Sequence, residues 1–261
     1  MKVAIVTGGS GGIGRCTAAE LAAAGCRVFE FSRHLKPAEG VEHIDCDVTD
    51  ESAVAAAVDE VISRAGKLDI LVCNAGFGIS GAAEFTSSAD AHAQLELNLF
   101  GMDNTVRAAL KHMRAGGGGR IVCMSSIAGI LPIPFQLWYS VSKAAIDAYV
   151  LALQNEVRPF NISVCAVLPG DIHSGFTGAR RKTAEAGPYG ERVARSVAKM
   201  EHDEETGMSP EAAGAYIAKM ALRRSSAPLK ALGLPYKAAA VAAKFLPRRV
   251  SNYIVGRMYA K

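Results

Sequence analysis

The amino-acid sequence predicts a doubly wound α/β fold of Rossmann type, one parallel sheet in a single domain, with helices on both faces. Three observations predict it. Apolar, β-rich runs alternate with helical stretches, as parallel sheets require. The first run leads through Gly8-Gly9-Ser10-Gly11-Gly12-Ile13-Gly14 into a helical stretch. The 261 residues, 50% hydrophobic and 21% charged, suit one large core.

The elements follow in order. Residues 2–7 read as the first strand and 15–24 as the first helix. Glycines between them let the backbone turn tightly and approach a pyrophosphate at the helix N-terminus. No Gly-Lys-Ser/Thr closes the turn, which excludes a nucleoside-triphosphate loop. The spacing of Gly8, Gly12 and Gly14 departs from G-x-G-x-x-G, so a dinucleotide reading needs support from other motifs. The second strand, 27–32, ends at Ser32 and Arg33. An acid there would hydrogen-bond a ribose 2′-hydroxyl, whereas a guanidinium pairs with a 2′-phosphate, so NADP(H) is expected ahead of NAD(H). Strands at 41–46, 68–73, 119–124 and 161–168 complete the expected sheet, with helices over 90–113 and 138–158. The glycine run 116–119 is the loop before the fifth strand. The long, glycine-punctuated segment 172–210, with Phe176, Tyr189, Val193, Val197 and Met200, reads as a mobile substrate lid, or else as a surface helix pair. The catalytic domain is expected over 1–225, and a basic, amphipathic helical extension over 226–261.

Tyr139 and Lys143 stand four residues apart on one helix face. A free tyrosine titrates near pH ~10, and a nearby ammonium lowers that value. Such a phenol serves as general acid for ketone reduction and general base for alcohol oxidation. Ser125 and Ser126 end the fifth strand, where α/β sheets place their ligand crevice, and either hydroxyl can donate to a substrate oxygen. Tyr-x-x-x-Lys by itself occurs by chance in many helices.

Together these motifs resemble the short-chain dehydrogenase/reductase family, from about residue 3 to 176. Thr7-Gly8-x-x-x-Gly12-Ile13-Gly14 is similar to the family's glycine turn, and Asp47-Val48 to its adenine-contacting acid. Asn74-Ala75-Gly76 is similar to its Asn-Ala-Gly, and Asn98 to the asparagine that holds a relay water. Ser126, Tyr139 and Lys143 match its catalytic trio, with Ser126 chosen over Ser125 by its spacing of thirteen residues to Tyr139. Pro169-Gly170, Ile172 and Ser174 resemble its nicotinamide-wrapping segment, with serine in place of threonine. The resemblance implies hydride transfer between a nicotinamide and a carbinol or carbonyl carbon. It also implies that Lys143 holds the nicotinamide ribose, and that dimers or tetramers form through helices 90–113 and 138–158.

The stretches 72–78 and 129–139 and Val157-Arg-Pro-Phe160 are similar to the hydroxysteroid-dehydrogenase branch. Ile130, Leu131, Ile133, Phe135, Leu137 and Trp138 read as an apolar wall that suits a steroid-type alcohol or ketone, or simply as core. The alternatives are a 3-oxoacyl-carrier-protein reductase, whose acidic carrier a basic surface attracts, and a non-catalytic NADP(H)-binding regulator.

Six cysteines lack a C-x-x-C pair, and six histidines lack ligand spacing, so neither a disulfide framework nor a metal site is expected. Cys73, Cys123 and Cys165 read as buried thiols, and His173 as a loop residue. The first strand starts almost at Met1 and no apolar run spans a bilayer, so a cytoplasmic location is expected. Residues 212–261 carry ten Lys and Arg and no Asp or Glu. Residues 236–246 favour helix, and Val250, Tyr253, Ile254 and Met258 recur at helical spacing. The expectation is that this tail covers the substrate pocket or a partner subunit; contact with anionic lipid ranks second and nucleic acid is remote.

Overall fold

The computed structural model describes all residues except 35, 37, 184 and 261. Seven parallel strands form the central sheet: β1 (Val3–Thr7), β2 (Arg27–Ser32), β3 (Val41–Asp45), β4 (Ile70–Cys73), β6 (Gly119–Met124), β7 (Ile162–Pro169) and β9 (Leu229–Leu232). Two-residue strands β5 (Ile79–Ser80) and β8 (Arg181–Lys182) pair apart from it. The helices are α1 (Gly12–Ala23), α2 (Glu51–Ala65), α3 (Ser88–Leu95), α4 (Gly101–Ala115), α5 (Leu137–Val157), α6 (Phe176–Ala179), α7 (Gly190–Glu205), α8 (Pro210–Leu222), α9 (Leu234–Phe245) and α10 (Arg248–Tyr259).

The strand order is β3-β2-β1-β4-β6-β7-β9. The chain winds outward from β1 in one direction and from β4 in the other. The loops leaving those two strands therefore diverge and open a crevice at their carboxyl ends. β1 and β4 are buried along their whole length, as a sheet covered on both faces demands. On one face Phe29, Phe31 and Ile121 meet Val58 of α2, Val106 of α4 and Ile146 of α5. On the other, Val6, Val72 and Val122 meet Leu21 of α1 and Ile217 of α8. Local chemistry sets the helix ends. The Asp50 carboxylate caps α2 by accepting from Ser52 and Ala53, and Gly66 closes it in the left-handed conformation.

The structure departs from the sequence reading in two places. Leu229–Leu232, assigned by sequence to the extension, pairs in parallel with β7 and forms the sheet edge. Four residues, of which only Leu232 is buried, carry too little periodicity to announce a strand. The helix expected over 90–113 is present, but a π-helical turn, Glu96–Phe100, interrupts its α-helical bonding between α3 and α4. Such turns insert one residue into a helix and cluster at functional sites. Cys73, Cys123 and Cys165 are buried and free, as the sequence suggested.

α1 and α8 cross at Gly214, where an added Cβ would sit 2.6 Å from the Cys16 Cβ and 2.8 Å from the Thr17 nitrogen. Gly256 in α10 faces open space. Gly214→Ala is expected to cost about 1–3 kcal/mol through overpacking, whereas Gly256→Ala should gain about 0.5–1 kcal/mol. Urea denaturation of the two variants checks both signs.

Candidate active site

The site is assembled from the loops that leave β1, β4, β6 and β7. Thr7 closes β1, and its hydroxyl accepts from the backbone nitrogens of Asn74 and Ala75, each at 3.0 Å. The Asn74 amide answers by donating to the carbonyls of Thr7 (3.1 Å) and Gly8 (3.2 Å). These bonds pin the two strands on either side of the crevice. Gly8 turns the chain with φ +66°. Gly14 must lack a side chain, because a Cβ would lie 2.3 Å from the Gly8 oxygen.

A cavity of about 470 Å³ opens above this junction. Gly8, Ser10, Gly11, Gly12 and Ile13 line one end, with Asn74, Ala75 and Gly76 beside them. α1 starts there without a side-chain cap, so its first amide N–H groups are left for an anion. A Cβ at Gly11 would meet nothing within 4 Å, so bare backbone faces the open cavity. The cradle thus fits a pyrophosphate. Pro169, Gly170, Ile172 and Ser174, after β7, line the far side.

Ser32, Arg33, Asp47 and Val48 lie beyond the cavity lining, at and after the ends of β2 and β3. Arg33 is exposed and stands 3.8 Å from Asp47. Burial pushes the Asp47 carboxyl up, but its bonds from Thr49 and the Arg33 charge outweigh this and hold it low. Glu30, two residues before Ser32, buries its carboxylate against His43 and Ser32 beneath Gly9. The only acid in β2 is therefore turned into the protein.

Ser126, Tyr139 and Lys143 line the same cavity. The Ser126 hydroxyl accepts from Ala128 N at 3.1 Å and faces the Tyr139 phenol, favouring its ionised form. The competing Ser125 lines the cavity too, but its hydroxyl donates to the Lys143 carbonyl at 3.1 Å. Tyr139 packs on Phe176, with ring centroids 5.6 Å apart. The Lys143 ammonium lies 5.5 Å from the centre of the Tyr139 ring and donates to the Met124 carbonyl at 2.7 Å.

The electrostatics correct one expectation. Burial pushes Tyr139 up to about 12, against the lowering effect of Ser126, and brings Lys143 down to about 8. A lysine whose ammonium is spent on a carbonyl does not offset the phenol's desolvation. The tyrosine is thus a neutral acid at neutral pH. One turn along α5, burial raises Asp147 to about 6.

Asn98 lies in the π-helical turn, outside the cavity lining. Its oxygen accepts from Phe77 N at 3.0 Å, and its amide donates to Phe77 O (3.0 Å) and Ser142 Oγ (3.1 Å). Ser142 in turn donates to the Tyr139 carbonyl at 2.7 Å. Asn98 therefore ties the loop after β4 to the first turn of α5.

Several cavity residues escaped sequence reasoning. Gln136, Asp171 and Glu204 line it. Glu204 pairs with Arg180, whose side chain is fully buried, and accepts from Thr177 at 2.5 Å. Asp171 accepts from the Tyr236 phenol, and the Tyr236 ring fills the space above Gly170. Only Asp171, adjacent to Gly170, had a sequence signal; Arg180 and Glu204 belong to no motif. Of the six apolar residues expected as the substrate wall, Ile133 alone lines this cavity. Leu137 is exposed, and Ile130 packs on the core. An N-terminal helix turn exposes part of its own circumference, whatever its composition. The segment 172–210 does border the site, through Phe176, Ala179, Met200 and Glu204 among others.

Arg180→Met should leave Glu204 unpaired and cost about 3–5 kcal/mol, whereas replacing both partners with methionine should recover most of that loss. Denaturant midpoints of the single and double variants check it.

A family model described as short chain dehydrogenase matches residues 2–185. A 3-ketodihydrosphingosine reductase of Bacteroides thetaiotaomicron is 38% identical over 230 residues, covering 86% of this chain and 85% of the relative. Human 17-beta-hydroxysteroid dehydrogenase type 1 is 30% identical over 191 residues, 67% of this chain and 58% of its own length. The crystal structure of a short-chain dehydrogenase from Streptomyces avermitilis superposes with a TM-score of 0.84 at 31% identity, covering 94% of this chain and 93% of that one.

Proposed function

The chain belongs to the short-chain dehydrogenase/reductase family, oxidoreductases that use a nicotinamide dinucleotide, and from that membership we propose that it interconverts a ketone and a secondary alcohol with NADP(H). The observation that carries the reading is the neutral Tyr139 phenol beside Ser126 and Lys143, in one cavity with the uncapped start of α1. In reduction Tyr139 gives its proton to the forming alkoxide and Ser126 donates to the same oxygen. Bound nicotinamide supplies the hydride. Lys143 and the loop of Pro169, Gly170, Ile172 and Ser174 would hold its ribose and ring, and the amides of α1 would hold the pyrophosphate. Asn98 positions Tyr139 through Ser142. Arg33 stands free enough to meet a 2′-phosphate, since its contact with Asp47 is long and Glu30 is buried.

The substrate reading rests on charge. The carboxylates of Glu204 and Asp171 both bear on the Tyr139 hydroxyl, and Arg180 answers with one positive charge. A substrate with a cation near its carbonyl would be drawn to the Asp171 carboxylate, which lines the cavity without an ion pair among the described residues, Glu204 being paired with Arg180. A long-chain 2-amino ketone has that chemistry, and the relative from Bacteroides thetaiotaomicron is named for one. A steroid-type ketone is the second reading, favoured by the apolar lining of Ile127, Ile133, Phe176 and Met200. NADPH oxidation with a long-chain 2-amino ketone, a steroid ketone and a β-ketoacyl thioester ranks these classes. Tight NADPH binding with no turnover of any of them would favour a regulator.

Two outcomes test the chemistry. Tyr139→Phe should lower kcat by about 10²-fold or more while NADPH still binds in a fluorescence titration. Because the phenolate fraction grows about tenfold per pH unit below its pKa, alcohol oxidation should climb steadily through the alkaline range while ketone reduction holds level. A Phe variant of near-normal rate would remove the assignment. For the cofactor, Arg33→Ala should weaken NADPH by about tenfold and leave NADH little changed. Equal turnover of the unaltered protein with both cofactors would defeat that choice.

A further inference from the structure

We propose that α9 and α10, with the basic cavity beneath α9, form a docking surface for an anionic phospholipid bilayer. The proposal stands apart from the reaction and rests on three features of the C-terminal face.

The first is apolar exposure. No residue of α9 is buried. Leu234, Val241 and Phe245, spaced by seven and four, share one helix face and are 81%, 55% and 83% exposed. On α10, Val250, Ile254 and Met258 form a second exposed row with Tyr253 beside it, whereas Val255 alone is buried. Patches of this kind mark interaction surfaces.

The second is unbalanced charge. A second cavity, of about 440 Å³, lies between α8, β9 and α9. Lys219, Arg223, Lys230, Lys237 and Lys244 line it, over a floor that includes Leu168 and Met220. Among the described residues none of these five cations enters an ion pair. Arg27, Arg64, Arg107 and Arg180 elsewhere each meet a carboxylate. Lys237 and Lys244 border one edge of the apolar row of α9, and Arg248, Arg249 and Arg257 continue along α10. No Asp or Glu occurs from 212 to the C-terminus; Lys261, the tenth cation, lies outside the described residues.

The third is how the two are combined. Apolar rows edged by lysine and arginine are the pattern of a helix lying in a membrane interface, its apolar side among the acyl chains and its cations at the phosphates. A second copy of this chain would bring the same positive face against itself in a two-fold contact. A nucleic-acid backbone would leave Leu234 and Phe245 in water. No helix among the described residues is long and apolar enough to cross a membrane, so the contact is peripheral. The sequence alone favoured burial of this tail; the structure covers only part of it, through Tyr236 on Gly170 and Asp171, and through Arg192 donating to the Ala260 carbonyl.

The test is co-sedimentation of the full chain with vesicles of phosphatidylcholine alone or mixed with phosphatidylglycerol. Binding to the anionic vesicles should exceed that to the neutral ones by about tenfold or more and weaken as salt is added. The double substitution Val241→Glu, Phe245→Glu should abolish binding, and Lys237→Glu, Lys244→Glu should remove the preference for anionic lipid. Both variants should stay folded with melting temperatures close to the parent's, since all four side chains are exposed. Equal binding to the two vesicle types, or unchanged binding by the Val241/Phe245 variant, overturns the proposal. So does a drop in oligomer size of that variant on a sizing column, which would make a second copy the occupant.

Discussion

Parallel strands that wind outward from β1 and β4 leave a gap where their loops part, and that gap must be held at a constant width for anything built across it to work. Thr7 and Asn74 hold it. Four hydrogen bonds between them, their neighbours and Gly8 join the two strand ends directly. The missing side chain of Gly14 lets α1 start within contact of the same carbonyl. Uncapped helix amides therefore face a cavity whose opposite wall carries Ser126, Tyr139 and Lys143. Asn98 extends the same framework by tying the loop after β4 to α5.

Burial then sets the proton chemistry. It moves Tyr139 up and Lys143 down, so the phenol keeps its proton while the ammonium loses some of its hold. Pairs of titratable groups driven apart by a common environment are the usual mark of acid–base sites. The carbonyl of Met124 takes the lysine's hydrogen bond. The phenol's charge balance is thereby left to Ser126, Arg180, Glu204 and Asp171, residues from three other parts of the chain.

The C-terminal region shows how one stretch can serve different surroundings. β9 completes the sheet, and Tyr236 closes the cavity rim. Past that point α9 has no fully buried residue, and its lysines line a pocket without carboxylates.

The strands 2–7, 27–32, 41–46 and 119–124, the glycine turn, and the shared helix face of Tyr139 and Lys143 were legible because each depends on local rules; Ser126 was preferred to Ser125 only through the family resemblance. Buried parallel strands need continuous apolar runs, tight turns need glycine, and residues four apart share a helix face. The short edge strand and the π-helical turn were not legible, since the one pairs with β7 and the other is bonded through Asn98 to Phe77 and Ser142. Nor were the Arg180–Glu204 pair, the Tyr236–Asp171 contact or the direction of the Tyr139 shift. Residues dozens of positions apart acquire a shared dielectric and shared charges only when the chain has packed. The sequence by itself thus determined which groups are present and on which local element each stands. Tertiary structure alone decided how deeply they are buried and what faces them, because desolvation and Coulomb energy depend on distance in space and not along the chain.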